Sequence, residues 1–160
     1  MFRLFKKQAR ADDLLSSKLH NEKTFYKAFS RDIKNAEFEI LLESPFITIR
    51  RSNEISKLFE KIIKRGVEVR VFTRHPRYHP EDMRAQSKIG IYNLRKSGVK
   101  VITCHDMRHR KIATIDGKIL WEGSLNFLSQ SNSKEIMRRT ESRALAGQMI
   151  QFLRLKKFYW

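Results

Sequence analysis

His109 and Lys111 stand two residues apart at the head of a strand-like run that Asp116 closes at a turn. A second strand-like run ends in Gly123, Ser124 and Asn126, and Glu135 opens a third. Residues i and i+2 of a strand project from one face. An imidazole and an ammonium therefore share one side of a sheet, with hydroxyl and amide groups arriving from the next strand. Cleaving a phosphate ester needs a nucleophile or base, fixed positive charge, and donors for the non-bridging oxygens. The stretch His109–Glu135 supplies each of these.

The elements that must position these groups are legible from periodicity. Asn21 is placed as a helix cap, with Thr24 third after it. Phe25, Phe29 and Ile33 then form a helical core stripe reaching about Asn35. Glu37–Glu43 reads as a strand with an apolar centre, ended by Ser44-Pro45. Ile55, Leu58, Phe59, Ile62 and Ile63 mark a second helix, and Val67–Thr73 alternates as a strand. A helix between two strands with short joints implies a right-handed crossover and a parallel pair.

Arg74–Pro80 is a loop by its prolines and is rich in groups that grip phosphate or stack on bases, Arg74, Arg77 and Tyr78 among them. Glu81–Ser97 is expected to be helical with Met83, Ile89 and Leu94 inward, and Val99–Thr103 is the third strand. Lys111–Ile115 and Lys118–Trp121 form a hairpin joined at Asp116-Gly117, a strong tight-turn signal. Asp116 and Gly123 are accordingly assigned structural and orienting roles. Leu125–Ser131 is a short helical turn or loop, Glu135–Glu141 a further strand, and Arg143–Trp160 a closing helix. Phe158, Tyr159 and Trp160 are candidates for the core or a dimer contact.

The 160 residues suit one domain, expected at 19–160 after an N-terminal extension at 1–18. A hydrophobic share of 41% excludes a disordered chain. The net charge of +17 points to polyanions, nucleic acid before anionic membrane surface. Arg108, Arg110, Arg138 and Arg139 join Arg74, Arg77 and Tyr78 as nucleic-acid-binding candidates. A single cysteine, Cys104, excludes an intrachain disulfide framework. With no signal or spanning segment legible, a cytoplasmic location is the expectation. Two metal readings are set aside. His75 and His79 lie in a proline-bounded loop, and Cys104 and His105, as neighbours, point to opposite faces.

The pattern His-x-Lys, four residues, Asp, six residues and Gly-Ser-x-Asn resembles the phospholipase D superfamily. It stands in full as His109, Lys111, Asp116, Gly123, Ser124 and Asn126. Asn132-Ser133-Lys134-Glu135 looks like that family's trailing acidic segment, and the likeness extends more loosely over about residues 20 to 155. The motif occurs once, which resembles the small nuclease branch in which two identical chains build one active site.

The resemblance implies an α/β fold with a mixed, mostly parallel sheet, helices on both faces, and an active site at a homodimer interface. It implies a metal-independent hydrolysis of DNA or RNA without a cofactor. One His109 attacks phosphorus to give a phosphohistidine, and the other protonates the leaving oxygen. The Lys111 pair neutralises the phosphate, and Ser124 and Asn126 donate to it. Glu135 is the candidate to hold the far nitrogen of His109. Positive neighbours should lower the His109 pKa and Glu135 should raise it. Two rival functions remain. One is a phospholipase or phosphatidyl transferase on anionic lipid. The other is a non-catalytic nucleic-acid-binding module of a larger helicase or restriction enzyme.

Overall fold

The computed structural model describes residues 16–129 and 132–158, the last two of these by backbone alone. Seven strands form one sheet: β1 (Ser17–Asn21), β2 (Glu39–Glu43), β3 (Glu68–Arg74), β4 (Lys100–Cys104), β5 (Ile112–Ile115), β6 (Ile119–Gly123) and β7 (Ile136–Glu141). Their order across the sheet is β1-β7-β6-β5-β2-β3-β4. The helices are α1 (Phe25–Lys34), α2 (Ile49–Ile63), α3 (Glu81–Lys96) and α4 (Arg143–Phe152).

The sheet is mixed, as expected, and helices cover both faces. β2, β3 and β4 pair in parallel, and the remaining ladders from β5 to β1 are antiparallel. "Mostly parallel" therefore holds for strand direction, since β5 and β7 alone run against the rest. It does not hold for the ladders. The Asp116-Gly117 turn makes β5 and β6 pair antiparallel, and β5 with β2 and β6 with β7 are antiparallel as well. Both turn residues take positive φ, 53° and 56°, the mirror-image geometry that matches strand twist.

The main core lies between the sheet and α1, α2 and α3. Phe25, Phe29, Ile40, Leu42, Phe59, Val69, Val71, Ala113, Ile115 and Trp121 meet there. On the opposite face α4 covers a smaller core that includes Leu41, Phe72, Ile112, Leu120, Ala146 and Ile150. Alternation along each strand sorts the two sets, as in Leu41 against Leu42.

Three sequence expectations need adjustment. First, α1 begins only at Phe25, with Thr24 at its N-cap position making no side-chain cap bond, while Asn21 and Thr24 bond each other reciprocally just before it. Residues Ser17–Asn21 are not helix approach but an edge strand, which begins inside the expected extension. Second, Ile89 is 46% exposed. The buried face of α3 runs through Ser87, Gly90, Ile91 and Leu94 because α2 and its lead-in pack close there; a Cβ on Gly90 would strike Ile47. Third, the closing helix stops at Phe152. Arg154 takes φ 51°, and a 3-10 turn over Leu155–Phe158 brings Leu155 back into the smaller core. Arg154 and Lys156 thus lie beyond the helix, while the side chain of Phe158 and all of Tyr159 and Trp160 lie outside the described residues. The segment expected as a helical turn or loop over Leu125–Ser131 is loop as far as Ser129, with Leu125, Phe127 and Leu128 buried, and residues 130–131 lie outside the described residues.

Candidate active site

One rim of the sheet collects the predicted groups. β2, β3, β4 and β6 end there, and β5 and β7 begin there. His109 and Lys111 precede β5, Ser124 and Asn126 follow β6, and Glu135 precedes β7. The register pairs Ile112 with Glu122 and Gly123 with Met137, so the three segments meet as neighbours. Gly123 is required at this junction. A Cβ there would strike the Ile136 carbonyl and the Met137 backbone.

Residues 108 to 111 alternate across the sheet. Arg110 donates to the fully buried Glu43 carboxylate from Nε at 2.8 Å and Nη2 at 3.1 Å. Arg108 reaches the same carboxylate at 3.3 Å and clamps Asp106 at 2.7 Å. Arg74, 7% exposed, donates from Nη2 to the Arg108 carbonyl at 2.9 Å. These three arginines hold the loop from below, which presents His109 and Lys111 on the other side. The Arg74 and Arg108 guanidiniums are therefore spent on the loop, while Arg110 keeps 44% of its side chain exposed.

Phe46, in the turn after β2 expected at the site's rim, meets the His109 ring edge-on at 5.6 Å. Buried His79 packs on Phe46 at 5.3 Å, and the Arg74 guanidinium lies 5.1 Å from the same ring. Burial pushes the His109 pKa below the ordinary value of 6.5, and the charges of Lys111 and Arg74 push it the same way. Every cause acting on His109 thus pushes the same way, toward the neutral imidazole, and Glu135 is not among them. The pKa of Lys111 is also lowered, first by burial; Glu135 opposes this and Arg74 adds to it.

Glu135 therefore acts on Lys111. Among the described residues no hydrogen bond joins it to His109. Its backbone N–H donates to Glu22 at 3.4 Å, and Glu22 also accepts from Lys134 at 3.0 Å. A bond from its own backbone, then Lys134 and the Glu135 N–H, bring the Glu22 pKa down to about 2. An open cleft lined by Glu22, Ser124, Lys134 and Glu135 adjoins this segment, with His109 and Lys111 outside its lining.

Ser124 is tied to β7. Its N–H donates to the Ile136 carbonyl at 2.9 Å, and its Oγ accepts from the Ile136 N–H at 3.1 Å. The Oδ1 of Asn126 is buried and accepts no bond, while the Asn126 carbonyl accepts from the Tyr26 hydroxyl at 3.0 Å. Arg51 lies over the Tyr26 ring at 4.2 Å and donates from Nε to the Phe127 carbonyl at 3.1 Å. Tyr26 and Arg51 thus pin the loop that carries Ser124 and Asn126. No local signal marks them, because each looks like an ordinary helix residue until the loop packs on it.

Asp116 sits at the far rim. Its carboxylate accepts from the N–H groups of Glu37, Phe38 and Glu39 at 3.0, 2.8 and 3.0 Å. It ties the hairpin to the start of β2, the orienting role expected of it. Among the remaining arginines, Arg139 pairs with buried Asp32 at 2.7 Å, and Trp121 donates to the same carboxylate at 2.9 Å. Arg138 donates to Ser17 at 2.8 Å, and Arg77 is exposed beside Tyr78. Cys104 is buried and His105 exposed, which places them apart as the alternation required.

The family described as "Cardiolipin synthase, PLD-like domain" matches residues 29–156. The chain belongs to the phospholipase D superfamily. Among solved structures, this phospholipase D-like chain is similar to Nuc from Salmonella typhimurium, a phospholipase D family member. That likeness has 17% identity and a TM-score of 0.72, over 90% of this chain and 93% of that one. NucT from Helicobacter pylori is similar at 18% identity and a TM-score of 0.69, over 89% and 94% of the two chains. The archaeal chromatin protein TrmBL2 is similar at 12% identity and a TM-score of 0.56, over 90% of this chain and 52% of that one. No curated protein matches. The superfamily's activity applies at its coarse level, that of a phosphodiesterase. No helix among the described residues is long and apolar enough to cross a membrane.

Proposed function

We propose that this phosphodiesterase is a metal-independent nuclease that works as a homodimer. The observation that carries the reading is the His109–Lys111 pair, projected together on one rim of a chain with net charge +17. A polyanion is drawn to such a surface, with binding that weakens as salt rises. Neutral His109 attacks phosphorus, forming the N–P bond as the bond to the leaving oxygen breaks. His109 of the partner subunit, protonated, gives its proton to that oxygen. Water then attacks phosphorus, its proton passes to the same partner imidazole, and the N–P bond breaks to restore His109. The two Lys111 ammoniums neutralise the non-bridging oxygens throughout. Asn126 is available to donate, and Ser124 reaches the phosphate by turning its hydroxyl from Ile136. Glu135 keeps Lys111 charged and becomes a partner for the far nitrogen of His109 if the loop tightens on substrate.

The test is cleavage of single- and double-stranded DNA and RNA with chelator present, beside His109→Ala. Cleavage by the unaltered protein and none by the variant, with DNA still bound, is the expected result. Activity lost to chelator and restored by a divalent ion would overturn it. The name of the matching family favours a second reading, phosphatidyl transfer on anionic lipid. Turnover of phospholipid vesicles but not oligonucleotides would select it. Nucleic-acid binding without turnover at any pH would leave the non-catalytic module.

A further inference from the structure

On the same rim, toward the β4 edge, aromatic and cationic side chains gather that the chemistry above does not use. Parallel pairing sets Arg74 beside Cys104, and one step further His75 stands beside His105. Their imidazoles stack, with centroids 4.5 Å apart and planes 25° apart. Tyr78 stands edge-on to both rings, at 6.4 Å from His75 and 6.2 Å from His105. Arg77 lies 4.7 Å from the Tyr78 ring centre and donates to its hydroxyl at 2.7 Å. The Arg77 N–H donates to Nδ1 of His75 at 3.2 Å, which puts that ring's proton on Nε2 when it is neutral. Lys88 of α3 is close enough to act on His75 electrostatically.

This pile has an open end. His105 and Arg77 are exposed, while the inner members are half-buried. Aromatic rings beside arginine are the arrangement on which unpaired bases stack, with little regard to sequence. A paired base offers no free face to such a pile. His105 precedes His109 by four residues, so their Cα atoms are at most about 14 Å apart along an extended chain. A few nucleotides span that distance.

We propose that His75, Tyr78 and His105, with Arg77 and Lys88 beside them, form a subsite for an unpaired nucleobase a few nucleotides from the scissile phosphate. The substrate is then single-stranded or locally opened nucleic acid. The subsite rests on the nuclease reading for its purpose but not for its existence.

The experiment measures binding of a labelled single-stranded oligonucleotide and of its duplex by anisotropy, with chelator present and His109→Ala as background to prevent cleavage. His105→Ala and Tyr78→Ala should each raise the single-strand Kd about five- to a hundredfold and leave the duplex Kd within about twofold. His105→Phe, which keeps a ring and removes the titrating nitrogens, should restore single-strand binding. Equal weakening on both substrates, or none on either, would overturn the subsite. So would failure of His105→Phe to restore binding. Exposed His105 keeps the test open even if Tyr78→Ala is poorly folded. With His109 intact, turnover of a small chromogenic phosphodiester separates the two readings. If nothing is turned over while binding still discriminates, the nuclease reading falls and the subsite stands. If turnover occurs and the variants bind single strands normally, the subsite falls alone.

Discussion

Residues 108 to 111 place two kinds of basic side chain on the two sides of one chain segment. Arg108 and Arg110 are tethered to Glu43, which is completely buried. His109 and Lys111 face the other way and, among the described residues, form no hydrogen bond or ion pair of their own. Phe46 sets the imidazole by ring contact, and Glu135 acts on the ammonium through space. Charge alone does not separate these pairs, and neither does distance along the chain. What separates them is whether the charge already has a partner. An arginine locked by a carboxylate holds the loop, whereas a lysine with no ion pair among the described residues, beside an imidazole whose pKa is pushed down, is open to an anion.

That contrast can be broken from either side. The largest effect is expected at the unpaired side. His109→Ala should lower cleavage by about a thousandfold or more, with a thermal midpoint near that of the unaltered protein. Lys111→Ala should lose cleavage comparably, as measured by steady-state turnover. A loss of fold in either variant would mean that the pair is structural after all.

On the tethered side the sign reverses. Glu43→Ala leaves two guanidiniums without their buried partner and should cost about 3–5 kcal/mol in denaturant unfolding. Asp32→Ala, which strands Arg139, should cost a similar amount and reports on the fold far from the loop. A small effect of Glu43→Ala would show that Arg74 and Asp106 hold the loop without it. Gly123→Ala comes next, at about 1–3 kcal/mol, because the new methyl must push β7 away.

The smallest effect sharpens the comparison. NMR titration of His109 should give a midpoint below 6.5, since burial and Lys111 favour the neutral ring. The acid limb of the pH–rate profile should accordingly fall below that value. Lys111→Met removes a positive neighbour and should move the His109 midpoint upward. An unmoved midpoint would leave burial and Arg74 as the causes.

How far the site could be read in advance follows from how local each cause is. The shared face of His109 and Lys111 comes from strand period, and the Asp116-Gly117 turn from residue chemistry, so both were legible. The orienting role of Asp116 was legible too, though its partners, 77 to 79 residues away, were not. Ile89 was misplaced because two faces of α3 carry apolar residues, and the approach of α2 at Gly90 decides which one is buried. β1 was missed because Ser17–Asn21 is short, polar and at an edge, with no buried alternation to reveal it.

By itself, then, the amino-acid order determined a basic α/β chain, the cluster of chemical groups within His109–Glu135, and which neighbours alternate between faces. These follow from backbone geometry acting over a few residues. The tertiary structure alone decided which cations are spent, with Glu43 on Arg108 and Asp32 on Arg139. It also brought Glu135 within electrostatic reach of Lys111, and set His75 against His105. Those outcomes depend on partners far apart in the chain, whose meeting is fixed by strand order and register, and no short-range pattern encodes either.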